Sequence, residues 1–260
     1  MPPRSFLQTK KSLLATRPLV VGVLTGTAPL TSQIKKARSL PVDVIEVRLD
    51  SFSFLYGDLA NARGRSIELL KKIRLAAQIP ILLTIRSHAE RGPRIPARPW
   101  RLTDAIRLAL FQDLLPFCRM VDVELRHPAL AAEVTRLARR QKIDVVHSHH
   151  NFQGVTSLAD LKKAAAHSRR LSADVLKVAV TPKTSAQCEK FLWGGMALPG
   201  RNKVLIAMGP QGVMSRFIGF SFGSILAYGY LGTKTASGQV SAREMTRAVR
   251  RLYAPLKKGT

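Results

Sequence analysis

The sequence predicts a single-domain α/β protein folded as a (β/α)8 barrel. Three observations carry this expectation. Short runs rich in β-branched residues alternate with Ala/Leu/Arg-rich segments of helical period, eight times over. The units recur at roughly the 25–35 residue pitch of a βαβ module, and eight of them suit a chain of about 250 residues. The first strand is followed by TGTAPLTS rather than a glycine-rich phosphate turn, which argues against an open, doubly wound sheet.

The elements follow in order. PLVVGVLTG (18–26) reads as the first strand and 32–40 as its helix. DVIEVRLD (43–50) is the second strand, followed by a helix over 65–78. IPILLTIR (79–86) precedes a helix over 103–115 with Thr103 as N-cap. RMVDVELR (119–126) precedes 128–141, a helix opening on proline. KIDVVHSHH (142–150) leads to a helix over 157–170, capped by Thr156 or Ser157. ADVLKVAVTP (173–182) leads to 184–194, and NKVLIAMG (202–209) to a short helix over 211–219. A last strand lies within 220–231, and 241–252 is the final helix.

Residues 1–17 are basic and free of acids, so a flexible tail is expected before a barrel over 18–256. They lack the apolar core and cleavage site of a secretory signal. Residues 90–101, rich in Pro and Arg, read as a mobile excursion placed to act as a lid. No apolar run approaches the ~18–20 residues of a membrane span. Cys118 and Cys188 fit no zinc or redox spacing, which suggests a reducing, cytoplasmic setting. The 260 residues carry 42 Lys and Arg against 16 Asp and Glu, a net charge of +26. Without a zinc finger or an RNP-type aromatic signature, this reads as a basic surface that contacts nucleic acid non-specifically and in a salt-sensitive way.

Lys177 stands alone in an apolar run. By itself it reads as a solvent-edge lysine, because most lysines are exposed. Strand parity changes this. Alternate residues of a barrel strand face inward, and chemistry gathers at the carboxyl ends. One face collects Glu46, Arg48 and Asp50, then Thr84 and Arg86, then Asp122 and Glu124, then Ser148 and His150, with Lys177, Met208 and Tyr228. Adjacent strands carrying so many ionisable groups are hard to explain as packing. His147 and His149 fall on the face opposite His150, so no metal site is expected. A desolvated lysine amine attacks carbonyls, and a histidine moves protons near neutral pH. Either Glu90 or Glu124 is placed to orient that histidine, and arginines recognise a small anion. Arg216, at the start of the helix after strand 7, and the Gly-Gln pair 238–239 suggest a phosphate or carboxylate subsite. The chemistry predicted is cofactor-free iminium formation on a small keto acid.

EVRLD (46–50), TIRSHAERG (84–92), VDVELR (121–126), SHHNF (148–152), LKVAVTP (176–182), MGPQGVMSRF (208–217) and ASGQVS (236–241) together resemble type I 3-dehydroquinate dehydratase in order and spacing. The resemblance implies a hydro-lyase of the shikimate pathway, which serves chorismate and aromatic amino-acid biosynthesis, and suggests a homodimer. It implies that Lys177 forms an iminium with 3-dehydroquinate, that His150 carries the proton of a syn elimination, and that Glu90 supports His150. It assigns Glu46, Arg48, Arg86 and Glu124 to substrate binding, with Arg216, Thr235 and Gln239 as a carboxylate clamp. Two departures stand out. Asn151 replaces the family's usual Asp beside the base, which is expected to weaken its tuning. Ser237 replaces a usual Pro, which is expected to loosen the closing loop. The rival reading is a lysine Schiff-base aldolase for a sugar phosphate, which would need a cradle of glycine amides after strands 7 and 8.

Overall fold

A computed structural model describes residues 5–90, 102–199 and 202–253. It opens with two single-turn helices, α1 (Phe6–Thr9) and α2 (Lys11–Leu14). The alternation then runs β1 (Leu19–Thr25), α3 (Leu30–Ser39), β2 (Val44–Arg48), α4 (Leu59–Ala77), β3 (Ile81–Thr84), α5 (Asp104–Leu114), β4 (Met120–Glu124) and α6 (Pro128–Arg140). It continues with β5 (Asp144–Asn151), α7 (Leu158–Arg170), β6 (Val175–Val180), α8 (Ser185–Met196), β7 (Lys203–Ala207), α9 (Ser215–Ile218), β8 (Leu226–Tyr230) and α10 (Ala242–Leu252). This is a (β/α)8 barrel, as the sequence predicts. No helix among the described residues is long and apolar enough to cross a membrane.

The strands are parallel and ordered β7-β6-β5-β4-β3-β2-β1-β8. The ring is nearly closed between β7 and β8. There Ile225 N donates to Lys203 O at 2.9 Å, and Ser224 Oγ accepts from Leu205 N at 2.8 Å. A side-chain hydroxyl thus stands in for a missing ladder carbonyl.

Period-two alternation sorts each strand into two faces. Val20, Ile45, Leu83, Val121 and Val145 point outward and bury themselves under the helices. Val21, Val44, Leu82, Met120, Val146, Val175 and Val204 point inward and fill the lower barrel. The same inward parity, continued toward the carboxyl ends, carries the polar residues. The barrel is therefore dry below and charged above.

Three local differences from expectation have identifiable causes. Residues 5–17 are packed rather than loose. Phe6 and Leu7 join the inner apolar cluster, and Leu7 N donates to Asp144 Oδ2 at 2.7 Å. The tail's basic charge had obscured its apolar face, which plugs the amino-terminal mouth. Helix α4 begins at Leu59 rather than 65, with the Asp58 side chain accepting from Asn61 N at 2.8 Å. Gly64, a helix breaker by propensity, sits inside it and faces open space. The helix expected over 211–219 is broken into single turns at Pro210–Gly212, Ser215–Ile218 and Gly219–Phe222. Left-handed Gly209 and Gly223 bracket them.

The expected lid lies, beyond Glu90, outside the described residues, as does the end of the barrel past residue 253. Part of the large positive charge has a local role. Arg139/Arg140, Arg169/Arg170 and Arg250/Arg251 occupy the last turns of α6, α7 and α10, where cations favour the helix dipole.

Candidate active site

The carboxyl ends of the strands surround a cleft of about 530 Å³ that opens to solvent. Glu46, Arg48, Arg86, Glu90, His150, Lys177, Arg216, Thr235 and Gln239 line it, together with Phe152, Met208 and Tyr228. Residues expected from six of the eight strand–loop units are thus brought to one wall.

Lys177 lies in the middle of β6, in register with Ser148 of β5 and Val204 of β7. Its side chain is buried, and its ammonium is not left alone. Nζ donates to Asp122 Oδ2 at 3.0 Å and lies 3.7 Å from Glu46 Oε1. The Tyr228 ring covers it at 4.5 Å. Asp122 also meets Arg86 Nη1 at 2.9 Å and accepts from Ser148 Oγ at 2.6 Å. Burial opposes ionisation of Asp122, but Arg86 and Lys177 overcome it and hold the carboxyl well below the usual range. Arg86 is raised in return, by Asp122, Glu124 and Glu90 against its own burial. Glu46 accepts from Thr84 Oγ1 at 2.8 Å, and Arg48 is clamped by Asp50 at 3.0 and 2.8 Å.

His150 sits at the end of β5 with Nδ1 2.7 Å from Glu90 Oε2. This contact leaves Nε2 for the cleft when Glu90 is ionised and Nδ1 carries the proton. Burial, followed by repulsion from Arg86 and Lys177, holds the imidazole well below its ordinary value of 6.5. The ring is therefore neutral and able to accept a proton. Burial pushes the Glu90 carboxyl up to about 7, although Arg86 pulls it down. Phe152 stacks near the His150 ring at 6.0 Å and 14°.

The loops after β7 and β8 build the anion corner. Gly209 N donates to Ser237 O at 3.2 Å. Gly238 has φ 69°, and a Cβ there would come within 2.6 Å of Gly209 O. Only glycine lets these loops approach so closely. Arg216 Nη2 donates to the same Ser237 carbonyl at 3.2 Å. Thr235 N and Oγ1 both donate to Gln239 Oε1, at 2.8 and 3.1 Å, which turns the amide nitrogen away from Thr235. Arg216 Nε is buried with no partner among the described residues. Burial also lowers its guanidinium to about 10. The corner is a guanidinium and an amide that together suit a carboxylate. Helix α9 is a single turn, so the expected contribution of a helix terminus is not part of it.

Two assignments change with the geometry. Glu124 was expected to touch substrate, but it does not line the cleft. Its carboxylate accepts from Ser87 N and Oγ at 2.9 and 2.7 Å and pairs with the fully buried Arg107. It braces the strand-3 loop that carries Arg86 and Glu90. Asp122, two residues earlier on the same parity, is the strand-4 acid at the amine. Parity exposed both residues, but it could not say which reached Lys177.

The two departures from the family pattern are absorbed locally. Asn151 Oδ1 accepts from Gln153 N and Gly154 N at 3.0 and 3.2 Å, so it caps its own turn rather than addressing His150. The Ser237 carbonyl ties the closing loop to Gly209 and Arg216. His147 and His149 face the helical layer, bonded to Thr135 at 2.9 Å and Thr156 at 3.2 Å.

The chain is similar in sequence and fold to known proteins. A 3-dehydroquinate dehydratase of Hydrogenobaculum sp. is 29% identical over 223 residues, covering 84% of this chain and 91% of that protein. The structure of 3-dehydroquinate dehydratase from Aquifex aeolicus superposes with a TM-score of 0.76 at 26% identity, covering 90% of this chain and 99% of that one. The one from Geobacillus kaustophilus gives 0.77 at 26% identity, covering 92% and 93%. The model of the family described as type I 3-dehydroquinase matches residues 20–254, nearly the whole barrel with its lysine, histidine and anion corner, and the chain belongs to that family.

Proposed function

We propose that this protein dehydrates 3-dehydroquinate to 3-dehydroshikimate through an imine on Lys177. The observation that carries the reading is the convergence of Lys177 Nζ, the His150–Glu90 pair and the Arg216–Gln239 corner on one cleft. The substrate is a ring with a ketone, several hydroxyls and a carboxylate, and each has a counterpart on this wall.

The substrate carboxylate binds Arg216 and Gln239. Its hydroxyls meet Glu46, Arg48 and Arg86. The Lys177 ammonium gives a proton to His150, the free amine attacks the C3 carbonyl carbon, and the resulting carbinolamine takes that proton back on its oxygen and loses water to give a protonated imine. That cation stays beside Asp122, which remains ionised, so no buried charge is left unpaired during the step. The iminium acidifies the C2 proton, which His150 Nε2 removes to form an enamine. The enamine nitrogen then pushes its electrons back, the C1–O bond breaks, and His150 returns its proton to the departing hydroxyl on the same face. Water attacks C3 and releases the product and the lysine. The sum is one substrate giving one product and one water.

Glu90 holds the Nδ1 proton of His150 and stabilises the imidazolium that forms transiently. An aldolase acting on a sugar phosphate is disfavoured, because the corner offers a guanidinium and an amide rather than a cradle of backbone amides. The test is to incubate the protein with 3-dehydroquinate, reduce with borohydride and map the adduct by mass spectrometry. A single adduct on Lys177 is expected. No adduct, or one on another residue, overturns the reading.

A further inference from the structure

Tyr228 is not among the residues assigned a role above, yet it lines the cleft directly at the amine. It lies on β8 in register with Val21 of β1 and is 5% exposed. The centre of its ring is 4.5 Å from Lys177 Nζ. Its hydroxyl is buried and has no hydrogen-bond partner among the described residues. It belongs to the inner apolar cluster with Val21, Val44 and Leu226. A phenylalanine would fill this space without a polar atom to satisfy. A buried hydroxyl lacking a partner weakens a fold, so its presence in a wall that meets ligand points to a partner supplied by the ligand.

We propose that Tyr228 is a further substrate-contacting residue. Its ring face stabilises positive charge at Lys177 Nζ, and its hydroxyl donates to the oxygen on the carbon that Lys177 attacks. This rests on Lys177 being the nucleophile, as argued above.

Charge bookkeeping gives the ring a specific effect. The iminium is a cation at Nζ, whereas the carbinolamine and the enamine are neutral there. An aromatic face favours the cation over both. Two steps create that cation. In the first, the carbinolamine C–O bond breaks, the nitrogen lone pair becomes the C=N bond, and the departing oxygen takes the proton held by His150 and leaves as water. In the second, the enamine lone pair re-forms C=N, the C2–C3 double bond shifts to C1–C2, and the C1 hydroxyl leaves with the proton from His150. Tyr228 favours both.

The hydroxyl's part is positional. It holds the C3 oxygen as it leaves in imine formation and the water that returns in hydrolysis. Burial, with the Glu46 and Asp122 carboxylates nearby, keeps the phenol well above its ordinary range, so it donates a hydrogen bond and releases no proton.

The test compares wild type with Tyr228→Phe, Tyr228→Leu and replacement of Tyr228 by pentafluorophenylalanine. The last keeps the shape of a ring but removes its negative face. Three quantities are read: Tm without substrate, kcat/KM, and the fraction trapped by borohydride at saturating 3-dehydroquinate. Tyr228→Phe is expected to keep or raise Tm while lowering kcat/KM by about fivefold to tenfold, the size of one hydrogen bond, with trapping near wild type. Tyr228→Leu and the fluorinated ring are expected to lower the trapped fraction, because the iminium loses stability against the neutral carbinolamine and enamine.

Wild-type kcat/KM in Tyr228→Phe would overturn the role of the hydroxyl. Wild-type trapping with the fluorinated ring would overturn the role of the ring, even if the leucine variant fails to fold. Absence of trapping on Lys177 in the wild type would instead overturn the reading of the site, so the two failures are distinguishable.

Discussion

Asp122 Oδ2 lies 3.0 Å from Lys177 Nζ, and the other oxygen of the same carboxylate lies 2.9 Å from Arg86 Nη1. One buried anion therefore serves two buried cations, one just after strand β3 and one on β6. An ammonium converted to an iminium keeps its charge, so this arrangement is compatible with the chemistry before and after the covalent bond forms.

Replacing Asp122 with Asn should keep the shape of the pair and remove its charge. Removing one partner of a buried ion pair costs about 3–5 kcal/mol, so Tm should drop clearly and turnover should fall by orders of magnitude. The pH dependence gives a second reading. The folded carboxyl is held below its ordinary value of 3.8, so its stabilisation is complete above that value and is lost as pH falls below it. Wild type should therefore lose stability steeply below about pH 4, whereas Asp122→Asn should show a flatter acid limb in thermal melts. Equal slopes would mean that Asp122 is not the linked group.

The Glu90–His150 pair should set the acid limb of kcat/KM. Glu90 is poised at about 7, while His150 lies well below 6.5, so the proton taken up as pH falls goes first to Glu90. A protonated Glu90 donates to Nδ1, forces the proton onto Nε2 and silences the base. Activity is expected to fall below about pH 7 as the pair titrates together. Glu90→Gln still accepts from Nδ1–H but has no proton to gain. Its limb should move below 6.5, with kcat lowered about tenfold or more by loss of a charge-assisted hydrogen bond. An unmoved limb in that variant would show that another group controls the profile.

Arg216→Ala should act on binding more than on chemistry. Its guanidinium has a buried nitrogen without a partner among the described residues, and burial lowers it to about 10, so a bound carboxylate would relieve both conditions. KM is expected to rise by about 10- to 100-fold, in line with 1.5–3 kcal/mol for a charged hydrogen bond, with a smaller loss in kcat. Steady-state kinetics on 3-dehydroquinate would check this. A change confined to kcat would separate Arg216 from substrate binding.

Leu7→Ala tests the plug at the other end of the barrel. Leu7 is 5% exposed, and its amide is bonded to Asp144. A loss of about 2–5 kcal/mol is expected for such a truncation, read as a lower Tm, with kcat unchanged at moderate temperature. An unchanged Tm would indicate that the amino-terminal turns add little to the barrel.

The alternation of β-branched and helical segments determined the fold by itself, because period two and period 3.6 are local properties of the chain. Strand parity likewise determined that Glu46, Arg48, Arg86, His150 and Lys177 share a face. Three things were decided only by the tertiary structure. Glu124 and Asp122 share a parity, and only the barrel's curvature and the buried Arg107 draw one into the strand-3 loop while leaving the other at the amine. The tail's fate depended on an apolar opening that exists only once eight strands have closed. The anion corner needed Gly209 and Gly238, 29 residues apart in sequence, to meet backbone to backbone. Local sequence sets which way a side chain points; which charge it meets is set by the long-range closure of the barrel.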